Sequence, residues 1–211
     1  TVAPGGERVY TYYADPFLGE TTSLVWDWGN VMMNPRNGLF GAVVVGPKGA
    51  KYRDPKTGAD LSNKNAWAAD VIIDRTVPGY EHRQIEAHAG DPVRIHILGV
   101  SNEQNGMFSV EKHEWPIEPF MRGADLISVV EYSGSEVLDA MIPSAGGMYR
   151  LPGDYVYSNQ RLPYSQSGQW GYLRVLPTGD TRLLPLAGAG AGAKNAGVEQ
   201  PAPQVIPVAS K

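Results

Sequence analysis

Cysteine is absent from the 211 residues. That absence excludes disulfides, thiolate zinc sites, cysteine nucleophiles and the cysteine ligand of a blue-copper centre. No apolar run is long enough to cross a membrane as a helix, so no membrane span is expected. There is no basic block and the formal net charge is −4, so nucleic acid is not an expected partner. No Ser-His-Asp order, phosphate-binding loop or dinucleotide fingerprint occurs. Asp54, Asp60 and Asp74 lack the spacing of a calcium loop. Thr1 opens no charged-then-apolar leader. Helical periodicity is weak throughout.

What is present suits strands. Gly (25) and Pro (17) are scattered along the chain, and 11 Tyr and 5 Trp supply large β-compatible side chains. β-Formers cluster over Val9 to Tyr13 and Ser23 to Trp28, and Gly38 to Val45 is a short apolar run bounded by turns. The turn chemistry of Gly46-Pro-Lys-Gly49 and Asp54-Pro-Lys-Thr-Gly58 marks residues 46–66 as a connection. Further strands are expected at Val71–Ile73, His82–His88, Val93–Leu98, Met107–Val110, Ser128–Tyr132, Asp154–Tyr157 and Trp170–Val175. Many short strands at this spacing predict an all-β sandwich or barrel. From Leu186 an Ala/Gly run and then a Pro/Gln/Val stretch read as a flexible tail.

Three segments, covering most of residues 4–177, resemble the cupredoxin domains of multicopper oxidases. The first is Val25-Trp-Asp-Trp-Gly-Asn30 followed by Gly38-Leu-Phe-Gly41, similar to the family's Trp-Tyr-His-Ser-His and Gly-Leu-x-Gly. The second is Gly90-Asp-Pro-Val-Arg-Ile95 with Asn105 to Trp115, similar to Gly-Asp-x-Val-Arg-Ile and a His-x-x-His-x-His motif. The third is Pro152-Gly-Asp-Tyr155 with Ser158 to Gly171, similar to Pro-Gly-x-Tyr and His-Cys-His-x-x-x-His. The extended Gly-Pro-Lys-Gly loop is similar to the large ceruloplasmin-like or bacterial manganese-oxidase-like members.

The resemblance implies a cupredoxin-like Greek-key β-sandwich, with one partial domain followed by one nearly complete domain. Residues 1–50 would be the C-terminal half of a domain, 51–66 a connecting loop, 67–180 a copper-free domain and 181–211 a flexible tail. It also places Trp28, Asn30, Gly106, Ser109, Glu111, Ser158, Asn159, Gln160, Tyr164 and Gln169 where the family has copper ligands. None supplies an imidazole or a thiolate. No cofactor is therefore expected on this chain, and copper is expected elsewhere in the parent protein or assembly.

A half sandwich exposes strand edges and an apolar face, so the remaining cupredoxin domains or a companion chain are expected to complete it. The resemblance further implies a secreted, periplasmic or cell-surface location. The implied role is a structural and interface region of a multicopper oxidase whose chemistry lies elsewhere. The alternative is a binding or assembly module with no oxidase activity.

One candidate metal set remains. His82, Glu86 and His88 share a face if 81–88 is extended, and two imidazoles with a carboxylate suit a divalent ion. The plainer expectation is a solvated strand face. His96 and His113 are expected to be packing residues, and Met107, Met121, Met141 and Met148 core filler.

Overall fold

The structure, a computed structural model, describes residues 2–47, 50–60, 84–100 and 104–186. It begins with an antiparallel hairpin, β1 (Thr21–Trp26) and β2 (Phe40–Val45), which pair from Thr21↔Val45 to Trp26↔Phe40. Two short 3₁₀ turns, Pro16–Leu18 and Pro35–Asn37, each carry proline near the start, where its missing N–H costs no bond.

The remaining strands are β3 (Ile85–His88), β4 (Val93–Leu98), β5 (Gly106–Val110), β6 (Trp115–Pro116), β7 (Leu126–Ile127), β8 (Val129–Tyr132), β9 (Val137–Ile142), β10 (Gly153–Asn159) and β11 (Trp170–Leu176). The one α-helix among the described residues, α1 (Leu162–Gln166), is a single turn. Five strands form a sheet in the order β3-β11-β10-β5-β8, with β3 parallel to β11 and the other pairs antiparallel. β4 pairs with β9, and β6 with β7. The fold is an all-β sandwich.

Period-two alternation builds its core. On β4, Ile95 and Ile97 turn inward opposite Ala140 and Leu138 of β9, while Arg94 and His96 turn outward opposite Met141 and Asp139. On β10, Tyr155, Tyr157 and Asn159 are buried, whereas Val156 and Ser158 are only partly so. Phe108, Val110, Trp115, Ile142, Leu173 and Val175 complete the cluster, with Phe108 6.1 Å from Trp115 between ring centres. Each such side chain contributes roughly 1.5–3 kcal/mol by leaving water.

Some expectations are corrected here. Val9 to Tyr13 forms no strand and lies exposed, because nothing among the described residues pairs with it. β9 was not anticipated, since Leu138, Asp139, Ala140 and Met141 are weak strand formers that only tertiary pairing makes extended. Met107, Met121 and Met148 are exposed rather than core filler. Residues 181–186, read as the start of the tail, pack back on the fold: Leu183 is buried and Leu184 N donates to Pro55 O at 2.8 Å. The expected strand Val71–Ile73, together with Asp74, lies outside the described residues, as does the sequence from residue 187 on.

Candidate functional site

Eight of the ten positions matched to copper ligands, all but Trp28 and Asn30, lie where β5, β10, α1 and β11 meet. Ser158 pairs with Ser109 and Asn159 with Phe108, so strand alternation sorts them onto two faces of the sheet.

On the core-facing side stand Gly106, Asn159 and Gln169. Asn159 Nδ2 donates to Gln169 Oε1 (2.9 Å) and to the Tyr132 hydroxyl (3.3 Å). Its Oδ1 accepts from the backbone N–H groups of Met107 (3.1 Å) and Arg161 (3.0 Å). This buried amide thus has its hydrogen-bonding capacity used on both ends. Tyr132 occupies the volume in front of position 106, where any Cβ would overlap its ring. Burial pushes the Tyr132 phenol above its ordinary value, nearby Tyr164 adds to the rise, and the Asn159 bond opposes it. The phenol therefore stays neutral at physiological pH.

On the opposite side, Gln160 Nε2 donates to the hydroxyls of Ser109 and Ser158, the latter at 3.0 Å. Glu111 accepts from Val156 N through Oε2 at 3.2 Å. Trp28 and Asn30 do not join this group. Asn30 Oδ1 accepts from Met32 N and Met33 N in a local turn. Trp28 lines a groove of about 290 Å³ with Trp26, Val31, Gln104 and the Gly134–Ser135 turn.

These residues do not supply a copper site of the family's type. The Tyr132 ring fills the space facing position 106, and the donors present are amides, hydroxyls, the Glu111 carboxylate and a neutral phenol rather than imidazoles and thiolate.

Of the other metal candidates, Glu86 and His88 are both on β3 but serve different partners. Glu86 forms an ion pair with Lys56 at 2.9 Å and lies opposite Arg174. Buried His88 meets the Asp180 carbonyl through Nε2 at 2.8 Å. His82 lies outside the described residues. Among the described residues, no three His, Cys, Asp or Glu side chains are grouped to hold a metal ion.

His113 is 1% exposed. Its Nδ1 donates to the Glu111 carbonyl (2.7 Å) while Nε2 accepts from Gly146 N–H (2.9 Å), a pairing that requires the neutral ring. Burial lowers its pKa, outweighing the bond to Glu111. Gly146 and Gly147 sit at φ +84° and +68°, which lets the loop fold over the ring.

A second polar cluster was not legible in the sequence, and His96 belongs to it rather than to the core. His96 Nδ1 meets Asp139 and also the Thr22 hydroxyl at 2.8 Å. Arg94 bridges Asp139 (2.6 Å) and Glu20 (2.7 Å), with Phe120 stacked 5.6 Å from its guanidinium carbon. The cluster resembles a hydrolytic triad in composition only, because Thr22 and Asp139 both address the same ring nitrogen. A base that activates Thr22 needs its carboxylate on the other nitrogen. What the cluster does is fasten β1 to the outer face of the β4–β9 pair. Burial raises the Asp139 pKa, but the bonds from His96 and Arg94 outweigh it and leave the carboxyl below its ordinary value. The signal in the sequence would have been the polar residues alternating outward in Val93–Leu98, had their partner strand been known.

No family model matches the sequence, and no curated protein does. Among solved structures the chain is similar to a multicopper oxidase, at 14% identity and TM-score 0.49, covering 74% of this chain and 56% of that one. It is also similar to the copper nitrite reductase from Nitrosomonas europaea (13%, TM-score 0.47, 80% and 65%). A third is the multicopper oxidase mgLAC (14%, TM-score 0.45, 77% and 56%). The chain thus spans 56 to 65% of the lengths of these proteins.

Proposed function

We propose that this chain is a copper-free structural and interface region of the multicopper-oxidase type, located outside the cytoplasm in a secreted, periplasmic or cell-surface protein. Oxidation of a metal ion or small organic reductant, with oxygen reduced to water, then takes place in other domains or chains. The observation that supports this most is Tyr132, whose neutral ring fills the space facing Gly106 and shares Asn159 with Gln169. A polar network with every member bonded is a stable substitute for a metal, since an incomplete one costs more than an apolar core. Loss of one ligand is variation; here every matched position carries something else, and Asn159 bonds Gln169 while Gln160 bonds Ser109 and Ser158.

The remaining cupredoxin domains or a companion chain cover the first unit in this reading. Copper analysis of the purified chain after incubation with Cu(II) and exhaustive dialysis tests the first part. Far less than one copper per chain is expected, with no change in Asn159→Ala. Stoichiometric copper that disappears in Asn159→Ala overturns it.

A second reading, a binding or assembly module with no oxidase activity, is favoured by the completeness of the replacement. Copper counted on the native assembly separates the two. Several coppers per parent support the oxidase reading, and none supports the module.

A further inference from the structure

The hairpin carries an unguarded strand edge. Neither β1 (Thr-Thr-Ser-Leu-Val-Trp) nor β2 (Phe-Gly-Ala-Val-Val-Val) contains a charge or a proline, and neither is bulged. Proteins guard exposed edges with those devices, because a bare row of N–H and C=O groups recruits another strand. β1 is the strand in contact with β9, tethered there through Thr22. β2 pairs with no strand but β1 among the described residues, and its Val43 is 37% exposed.

The same chain contains a strand without a sheet. Val9-Tyr-Thr-Tyr-Tyr13 is composed entirely of strong β-formers, yet it belongs to no element and exposes Val9 by 88% and Tyr13 by 82%. Such a segment has neither the charge nor the polarity of a solvated linker. Acceptor edge and donor segment are thus both present and unmatched among the described residues. Seven residues, 14–20, separate the donor from β1; with Pro16–Leu18 kept as a 3₁₀ turn they span about 19–20 Å. Adjacent strands lie only about 4.8 Å apart, so the donor can reach past its own hairpin.

We infer that two copies of this chain associate by reciprocal strand exchange, with Val9–Tyr13 of each copy adding to the β2 edge of the other. The exchange is isologous: one two-fold axis satisfies both edges and both donors and leaves no open end for further growth. Backbone hydrogen bonds hold the added strand, and the valines of β2 meet the tyrosines of the donor across it. The inference deepens the proposed interface role by naming the partner as a second copy. It fails independently of that role, since copper content and assembly mass are separate measurements.

Sedimentation velocity on the full chain, up to about 0.1 mM so that a micromolar association is populated, is expected to show a dimer. Val43→Lys on the acceptor and Tyr12→Lys on the donor are each expected to weaken self-association at least ~10-fold. Far-UV circular dichroism and the denaturation midpoint check that both variants remain folded.

The lack of native cysteine makes crosslinking decisive. Chains carrying only Tyr12→Cys, mixed with mass-tagged chains carrying a single cysteine at 42, 43 or 44, are expected to yield a mixed disulfide dimer under mild oxidation. A monomer throughout the concentration range overturns the inference. So does a double-cysteine chain that crosslinks only within itself, which assigns the donor to its own hairpin.

Discussion

The hairpin of residues 21–45 and the sandwich of residues 84–186 use the same strand chemistry and reach different degrees of burial. In the sandwich, alternate residues of β4, β9, β10 and β11 meet across two layers, and Trp115, Leu173 and Val175 are almost wholly enclosed. In the hairpin no residue of either strand is fully buried, and its attachment is the polar cluster around Asp139 rather than an apolar layer. Strand formation needs only backbone pairing; burial needs a second layer, and the hairpin has the first without the second. The sandwich is therefore the stable body of the molecule, and the hairpin is held to it by directed contacts.

That comparison is open to attack from its strongest side first. Trp115→Ala removes a side chain that packs on Phe108 inside the core, and it is expected to cost about 3–5 kcal/mol in denaturant unfolding. A loss under about 1 kcal/mol would mean that the sandwich interior is far looser than its burial indicates.

Gly106→Ala places a Cβ against the Tyr132 ring and is expected to cost about 1–3 kcal/mol. Adding Tyr132→Ala should then cost less than the two single losses summed, because the clash disappears with the ring. Strict additivity would show that Tyr132 does not occupy the space facing position 106.

Acid separates the two regions by pH window. His113 titrates below its ordinary 6.5 in the folded chain, so the unfolded chain takes up a proton first as pH falls. Stability is complete above about 6.5 and declines below it until the folded value is passed. His113→Phe should flatten that slope in a series of denaturation midpoints. Asp139 is held below its ordinary 3.8, so its contribution persists above that value and disappears as pH falls through the folded one. Asp139→Asn should narrow this lower window, which Asp154 and Asp180 share, and speed amide exchange in β1 and β2 at neutral pH, while β10 and β11 stay protected. Equal acceleration in all four strands would show that the cluster supports the whole fold and not the hairpin.

The smallest effect is expected at Trp28. It is 72% exposed, and Trp28→Ala should change stability by no more than about 0.5 kcal/mol. A large loss would place Trp28 in a packed interface of the isolated chain.

Sequence by itself determined much of the strand inventory. β4 and β11 fall where the alternation and the apolar run put them, because period-two patterning is a local property that each segment carries without its neighbours. It also determined what cannot occur: without cysteine there is no thiolate, whatever the fold.

Tertiary structure decided the rest, for a physical reason in each case. β9 became a strand because β4 lay beside it, against the preferences of Ala140 and Met141. His96 left the expected core for a polar cluster because Asp139 and Thr22, 43 and 74 residues away in sequence, converge on its ring. Sequence could report that the matched ligand positions held the wrong residues. Only the folded sheet could show that Tyr132, which no motif singled out, stands in front of Gly106, because a contact between β8 and β5 depends on how distant strands pair.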